Sequence, residues 1–180
     1  VQNIAGDRLQ VVSLVGRDGD AHNYEPTPQD SVTLQKSALI VMFGAGMEHS
    51  WLDGLLDSSG TTAARLVLSE KIGLLPSAHE EDDHEEDEHE EDHEGEEHAE
   101  EEHSHGEFDP HIWMSLVNAM QLVPAIKNQL IILDPEGQST YETNASAYVA
   151  ELEALHLEIA AQTAAIPEAN RKLVVPHRSF

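Results

Sequence analysis

Twenty-nine consecutive residues, from His79 to Glu107, hold 18 Asp or Glu and 7 His, with no Lys or Arg. Like-charge repulsion and the lack of apolar area keep such a run out of any core, so residues 78–107 are expected to be a disordered loop when metal-free. The folded part is therefore the other 151 residues. Taking those 18 carboxylates out of a formal net charge of −26 leaves −8, the charge of a mildly acidic globular protein. Enough Leu, Val, Ile and Ala remains outside the run for a core. No basic patch offsets the acidic surface, which excludes nucleic acid as a partner.

Strand and helix patterns alternate along the folded part. Leu9 to Val15 reads as a buried strand, bounded by glycines. A loop rich in Gly and Pro follows, and Pro28 opens a helix running to about Lys36. Ala38 to Phe43 predicts a second strand, Glu48 to Leu56 a short helix, and Arg65 to Leu68 a third strand. Ser115 to Leu133 has helical spacing interrupted by Pro124. A longer helix is predicted from Ser139 to Ala165, with Tyr141, Ala145, Tyr148, Leu152, Leu155 and Ile159 on one side. Lys172 to Val175 starts another strand.

The pattern implies an α/β fold with a mostly parallel sheet. Residues 1–137 are expected to form an N-terminal α/β lobe with flanking helices. Residues 138–166 form a linking helix, and 167–180 begin a second, truncated α/β lobe. Both ends look cut, with no signal peptide at Val1. No apolar run is read as a membrane span. There is no cysteine, hence no disulfide and no thiolate metal site.

Imidazole and carboxylate in the acidic run suggest loose, multi-site binding of Zn²⁺ or similar ions by His79, His84, His89, His93, His98, His103 and His105. A plain solvated charge run is the bland alternative. Five histidines lie elsewhere. His22 sits in the Gly/Pro-rich loop, His111 in Asp109-Pro110-His111-Ile112-Trp113 before a helix, and His177 after the KLVV run. Ligands collect beyond the carboxyl ends of parallel strands, and His22 and His177 fit that rule. His49 and His156, on helices, read as surface or packing residues. Separations of 89 and 66 residues match no local zinc motif, so spacing alone leaves the trio a suggestion.

The surrounding residues carry more. LVGRDGDAHNYEPTP, FGAGMEHSWLDGLL, DPHIWMSLVNAM, DPEGQSTYETNASAYVAEL and VVPHRSF, in that order, resemble the motifs of the zinc-specific solute-binding proteins of ABC importers, the ZnuA type of the cluster A-I metal receptors. The sequence departs from that pattern at Arg17, Ala21, Pro176 and Arg178-Ser179.

The resemblance implies two α/β lobes joined by a rigid helix, with Zn²⁺ held in the cleft by His22, His111 and His177. It also implies delivery to the membrane permease of a zinc ABC transporter, in the periplasm or from a lipid anchor at the outer face of the membrane. A monomer is expected. Three neutral imidazoles suit tetrahedral Zn²⁺, whereas manganese receptors of the family carry a carboxylate at the third position. Glu25, Glu48 and Asp109 are candidates to support the ligands, and Trp113 and Tyr24 suit either a wall of the site or the core, with the core preferred for Trp113. A manganese or other divalent-metal receptor of the same family is the nearest alternative. A His-rich metal buffer or surface adhesion protein is a further one. A hydrolytic zinc enzyme is disfavoured, because no catalytic signature accompanies the histidines.

Overall fold

The computed structural model describes residues 1–16, 19–76 and 108–174. The whole acidic run, with all seven of its histidines, and the stretch holding His177 lie outside these residues, so the expectations made for them do too.

Two apolar segments of β-branched and aliphatic residues form the sheet: β1 (Leu39–Met42) and β2 (Ala64–Val67). They pair in parallel, Leu39 with Ala64 through Met42 with Val67. Parallel neighbours need a crossover, supplied here by α3 (His49–Ser59), which ends at left-handed Gly60. The side chains of β1 alternate as a strand requires. Leu39 and Val41 join one core with Leu66, Leu68, Ile112, Leu122, Ile126, Leu130 and Tyr141. Ile40 belongs to the other, with Leu34, Leu52, Leu55 and Leu56, and Met42 packs against it.

Helices α1 (Gln2–Ala5), α4 (Leu116–Leu133) and α5 (Gln138–Ala164) cover the first face, and α2 (Pro28–Lys36) and α3 cover the second. This is the expected α/β lobe. Pro28 begins α2, where its missing N–H costs nothing. The buried Asp30 carboxylate accepts the Thr27 N–H and hydroxyl and the Tyr24 hydroxyl. Burial pushes its pKa up, but these donors outweigh burial and hold it below the ordinary value.

Several expectations are corrected. Leu9 to Val15 is not a strand. It finds no hydrogen-bonded neighbour among the described residues, and Val12 is 57% exposed, while Leu9 and Leu14 pack against the two cores. Leu173 and Val174 are exposed and unpaired with any described strand, so the described part of the KLVV run is not one either. The stripe on α5 is buried only in its first half. Tyr141, Ala145 and Leu152 are covered, but Leu155 and Ile159 are exposed because no described element packs beyond Leu152. Helix α4 runs unbroken past Pro124. At 18 residues and a mean hydropathy of 1.3 it is long and apolar enough to cross a membrane, contrary to the reading above. Its Leu122, Val123, Ile126 and Leu130 nevertheless pack in the first core.

Arg8 and Asp134 fasten the N-terminal segment to the α4–α5 corner. Arg8 Nε and Nη2 donate to the two Asp134 oxygens at 2.8 and 3.0 Å, and the Tyr141 hydroxyl donates to Oδ2 at 2.6 Å. Gly137 is required there, since a Cβ would come within 2.6 Å of all three side chains.

Candidate metal centre

Phe43 leaves β1 into the turn Gly44–Met47, in which Gly44, Ala45 and Gly46 all have positive φ. A side chain at Gly44 would collide with the Ser69 hydroxyl and Val67, so only glycine fits. Glu48 closes the turn. Its buried carboxylate accepts the N–H of Phe43 at 2.7 Å and of Gly44 at 3.0 Å. Glu48 therefore fixes the backbone at the carboxyl end of β1 and does not support a histidine, as had been one expectation for it.

His111 reaches the same place from the other side of the acidic run. Pro76 and Phe108 form an isolated antiparallel bridge, and the Asp109 N–H donates to the Leu75 carbonyl at 2.9 Å. Two residues on, His111 begins the 3₁₀ turn Ile112–Met114, whose Ile112 is anchored in the first core. The Asp109 carboxylate accepts both the backbone N–H of His111, at 2.9 Å, and its ring Nδ1, at 2.7 Å. This contact makes Nδ1 the protonated nitrogen of the neutral ring and leaves the Nε2 lone pair for a metal. Of the three candidate supports, Asp109 is the one that contacts a ring nitrogen of His111.

Trp113 is corrected from core to site wall. It is 40% exposed, with its ring 4.8 Å from Phe43 and 5.4 Å from His111.

His22 lies in the loop before α2. Asp20 turns that loop by accepting the His22 N–H at 2.9 Å, a bond that lowers the pKa of its carboxyl. Helix α3 holds the loop from outside, where the Ser50 hydroxyl donates to the His22 carbonyl at 2.7 Å and Trp51 Nε1 to that of Ala21 at 2.8 Å. No periodicity or composition signal marked Ser50 or Trp51 beforehand.

The two histidines converge. His22 Nε2 and His111 Nε2 stand 3.4 Å apart, with ring centroids 5.4 Å apart and His111 buried. Two nitrogens each about 2.0–2.1 Å from a shared tetrahedral centre would be separated by about 3.3–3.4 Å. Right-angled ligation at the same bond length would bring them to about 2.9 Å. The 3.4 Å separation matches the tetrahedral figure. Among the described residues no group of three or more His, Cys, Asp or Glu gathers, so these two are the described share of the expected trio. Glu25 is exposed. His49 is exposed on α3 and pairs with Asp53 at 3.0 Å, and His156 is exposed on α5.

The model of one protein family, ZnuA (zinc-uptake complex component A, periplasmic), matches residues 1–180. The chain belongs to the ZnuA family. Its ABC substrate-binding members bind metals and are not enzymes.

The chain is 29% identical over 180 residues to the manganese-binding lipoprotein MntA of Halalkalibacterium halodurans, covering 100% of this chain and 51% of that protein. It is 31% identical over 179 residues to the iron ABC transporter substrate-binding lipoprotein MtsA of Streptococcus pyogenes serotype M1, covering 96% and 50%. A crystal structure of a ZnuA deletion mutant with zinc bound superposes with a TM-score of 0.78 at 28% identity, over 99% of this chain and 58% of that one. The chain thus spans about half the length of the curated relatives it matches. A ZnuA-like lobe is the fold the sequence predicted.

Proposed function

We propose that the chain captures Zn²⁺ outside the cytoplasm and delivers it to the membrane permease of an ABC transporter, acting as a monomer. The observation that carries this reading is the 3.4 Å separation of His22 Nε2 and His111 Nε2, with Asp109 orienting the second ring. Both described ligands are imidazoles, the expected third, His177, is another, and the spacing suits tetrahedral zinc. The ion is cargo, so the site needs to bind and release rather than to activate water. The name of the family and the zinc-bound ZnuA structure support the choice of metal. The lipoprotein relatives and the periplasmic family description support a place in the periplasm or on a lipid anchor at the outer face of the cell membrane.

In this reading α5 links two lobes. Leu155 and Ile159, exposed beyond Leu152 on the same side of the helix, are the face on which a second lobe would pack. The histidines of the acidic run, His79 to His105, would gather further ions more weakly, because a flexible segment loses conformational entropy whenever it wraps one.

Manganese is the second reading, favoured by the name of the H. halodurans relative. Uptake of radioactive zinc and manganese by cells with and without this gene separates the two. The zinc reading expects loss of high-affinity zinc uptake alone, and loss of manganese uptake with zinc uptake intact would overturn it.

A further inference from the structure

His22 comes from a loop with no helix or strand of its own, whereas His111 is tied to a core-anchored turn. The ring is therefore placed in part through the loop backbone, which Asp20 turns locally by accepting the His22 N–H. Two consecutive carbonyls, of Ala21 and His22, are taken by two consecutive side chains of the first turn of α3, Trp51 and Ser50. Tyr24, beyond His22 in the same loop, meets the Trp51 ring edge-on at 4.9 Å. That turn of α3 is itself fixed by Glu48, whose carboxylate grips the Phe43 and Gly44 amides at the end of β1. Phe43 in turn touches Trp113, which touches His111. One helical turn thus reaches both arms of the site, by hydrogen bonds on the His22 side and, through Glu48 and Phe43, by tilted and edge-on ring contacts on the His111 side.

Building on the proposed metal reading, we propose that Ser50 and Trp51 are positioning residues that pre-organise His22 for the ion. Without their two hydrogen bonds the loop loses its ties to α3 at Ala21 and His22, and the extra ordering needed at each binding event weakens the site. Groups that orient metal ligands typically change affinity by about 10–100-fold when removed. Ser50 is exposed, which places the expected effect near the lower figure.

The test uses Ser50→Ala combined with Trp51→Phe, which keeps an aromatic ring beside Tyr24 but removes the donor. Zinc affinity of the full chain is measured by competition with a chelator, in the presence of His22 and in a His22→Ala background. The inference expects a loss of about tenfold with His22 present and under twofold without it, because residues acting through His22 lose their effect when it is gone. Ser50→Thr, which keeps the hydroxyl, should bind within twofold of the parent.

Unchanged affinity with His22 present overturns the inference. So does an equal loss in both backgrounds, which would mark a merely structural role. Should Trp51→Phe unfold the chain, Ser50→Ala alone, at its exposed position, carries the same cycle. The site reading itself fails in a different way: His22→Ala alone would then leave zinc affinity unchanged.

Discussion

Asp109 offers the sharpest perturbation of the metal centre, because one carboxylate oxygen accepts both the backbone N–H and the Nδ1 of His111. Replacing it by Asn keeps an oxygen for those donors but removes its charge. Replacing it by Ala removes the acceptor. A hydrogen bond to a charged group contributes about 1.5–3 kcal/mol. The Asp109 side chain is 38% accessible, so water competes and the lower end applies, although His111 itself is only 4% accessible. About 1.5 kcal/mol corresponds to roughly tenfold in affinity for Asp109→Ala, and the neutral acceptor of Asp109→Asn should forfeit about half of that free energy. Competition of each variant against a chromophoric chelator measures the loss, with the metal-free melting temperature as control. Ala binding zinc within twofold of the parent would refute the role of Asp109. So would an equal loss of affinity from Asp109→Ala in a His111→Ala background, since the effect would then not run through that ring.

The remaining predictions concern the frame. Glu48→Ala leaves the Phe43 and Gly44 amides without their acceptor, which should cost about 2–3 kcal/mol and lower the melting temperature by about 5–10 °C in a thermal scan. Donation from Arg8 first, and then from Tyr141, holds the Asp134 carboxyl at about 2, below its ordinary 3.8. Its folded pKa is depressed, so the stabilisation is complete above the ordinary value and drains away as pH falls from 3.8 toward about 2. Asp134→Asn should accordingly flatten the acid limb of a stability–pH profile followed by circular dichroism.

Elements whose partners lie among the described residues were legible from local pattern. The β1 and β2 runs, the Pro28 start of α2 and both long helices fall within a few residues of their expected bounds. Leu9 to Val15 has strand composition but no described neighbour to pair with, and a strand is defined by its partner as much as by its residues. The same holds for the outer half of α5, where the apolar stripe was read correctly but nothing described covers it.

At the site, the convergence of His22 and His111 across 89 positions followed from motif resemblance and not from spacing. Asp109 was one of three candidate supports, and of these its contact is the local one, two residues from its histidine. The hydrogen bonds of Ser50 and Trp51 to the His22 loop join segments 28 and 30 residues apart, through backbone carbonyls that any residue carries, so no sequence signal could mark them. Trp113 was misplaced for a related reason: an aromatic before a helix looks the same whether it fills a core or walls a site.

The most direct test is a calorimetric zinc titration of the chain lacking residues 78–107, beside the same protein carrying His22→Ala, His111→Ala and His177→Ala. The account predicts one tight site in the first and none in the second. A tight site that survives the three substitutions would place the metal elsewhere and contradict it.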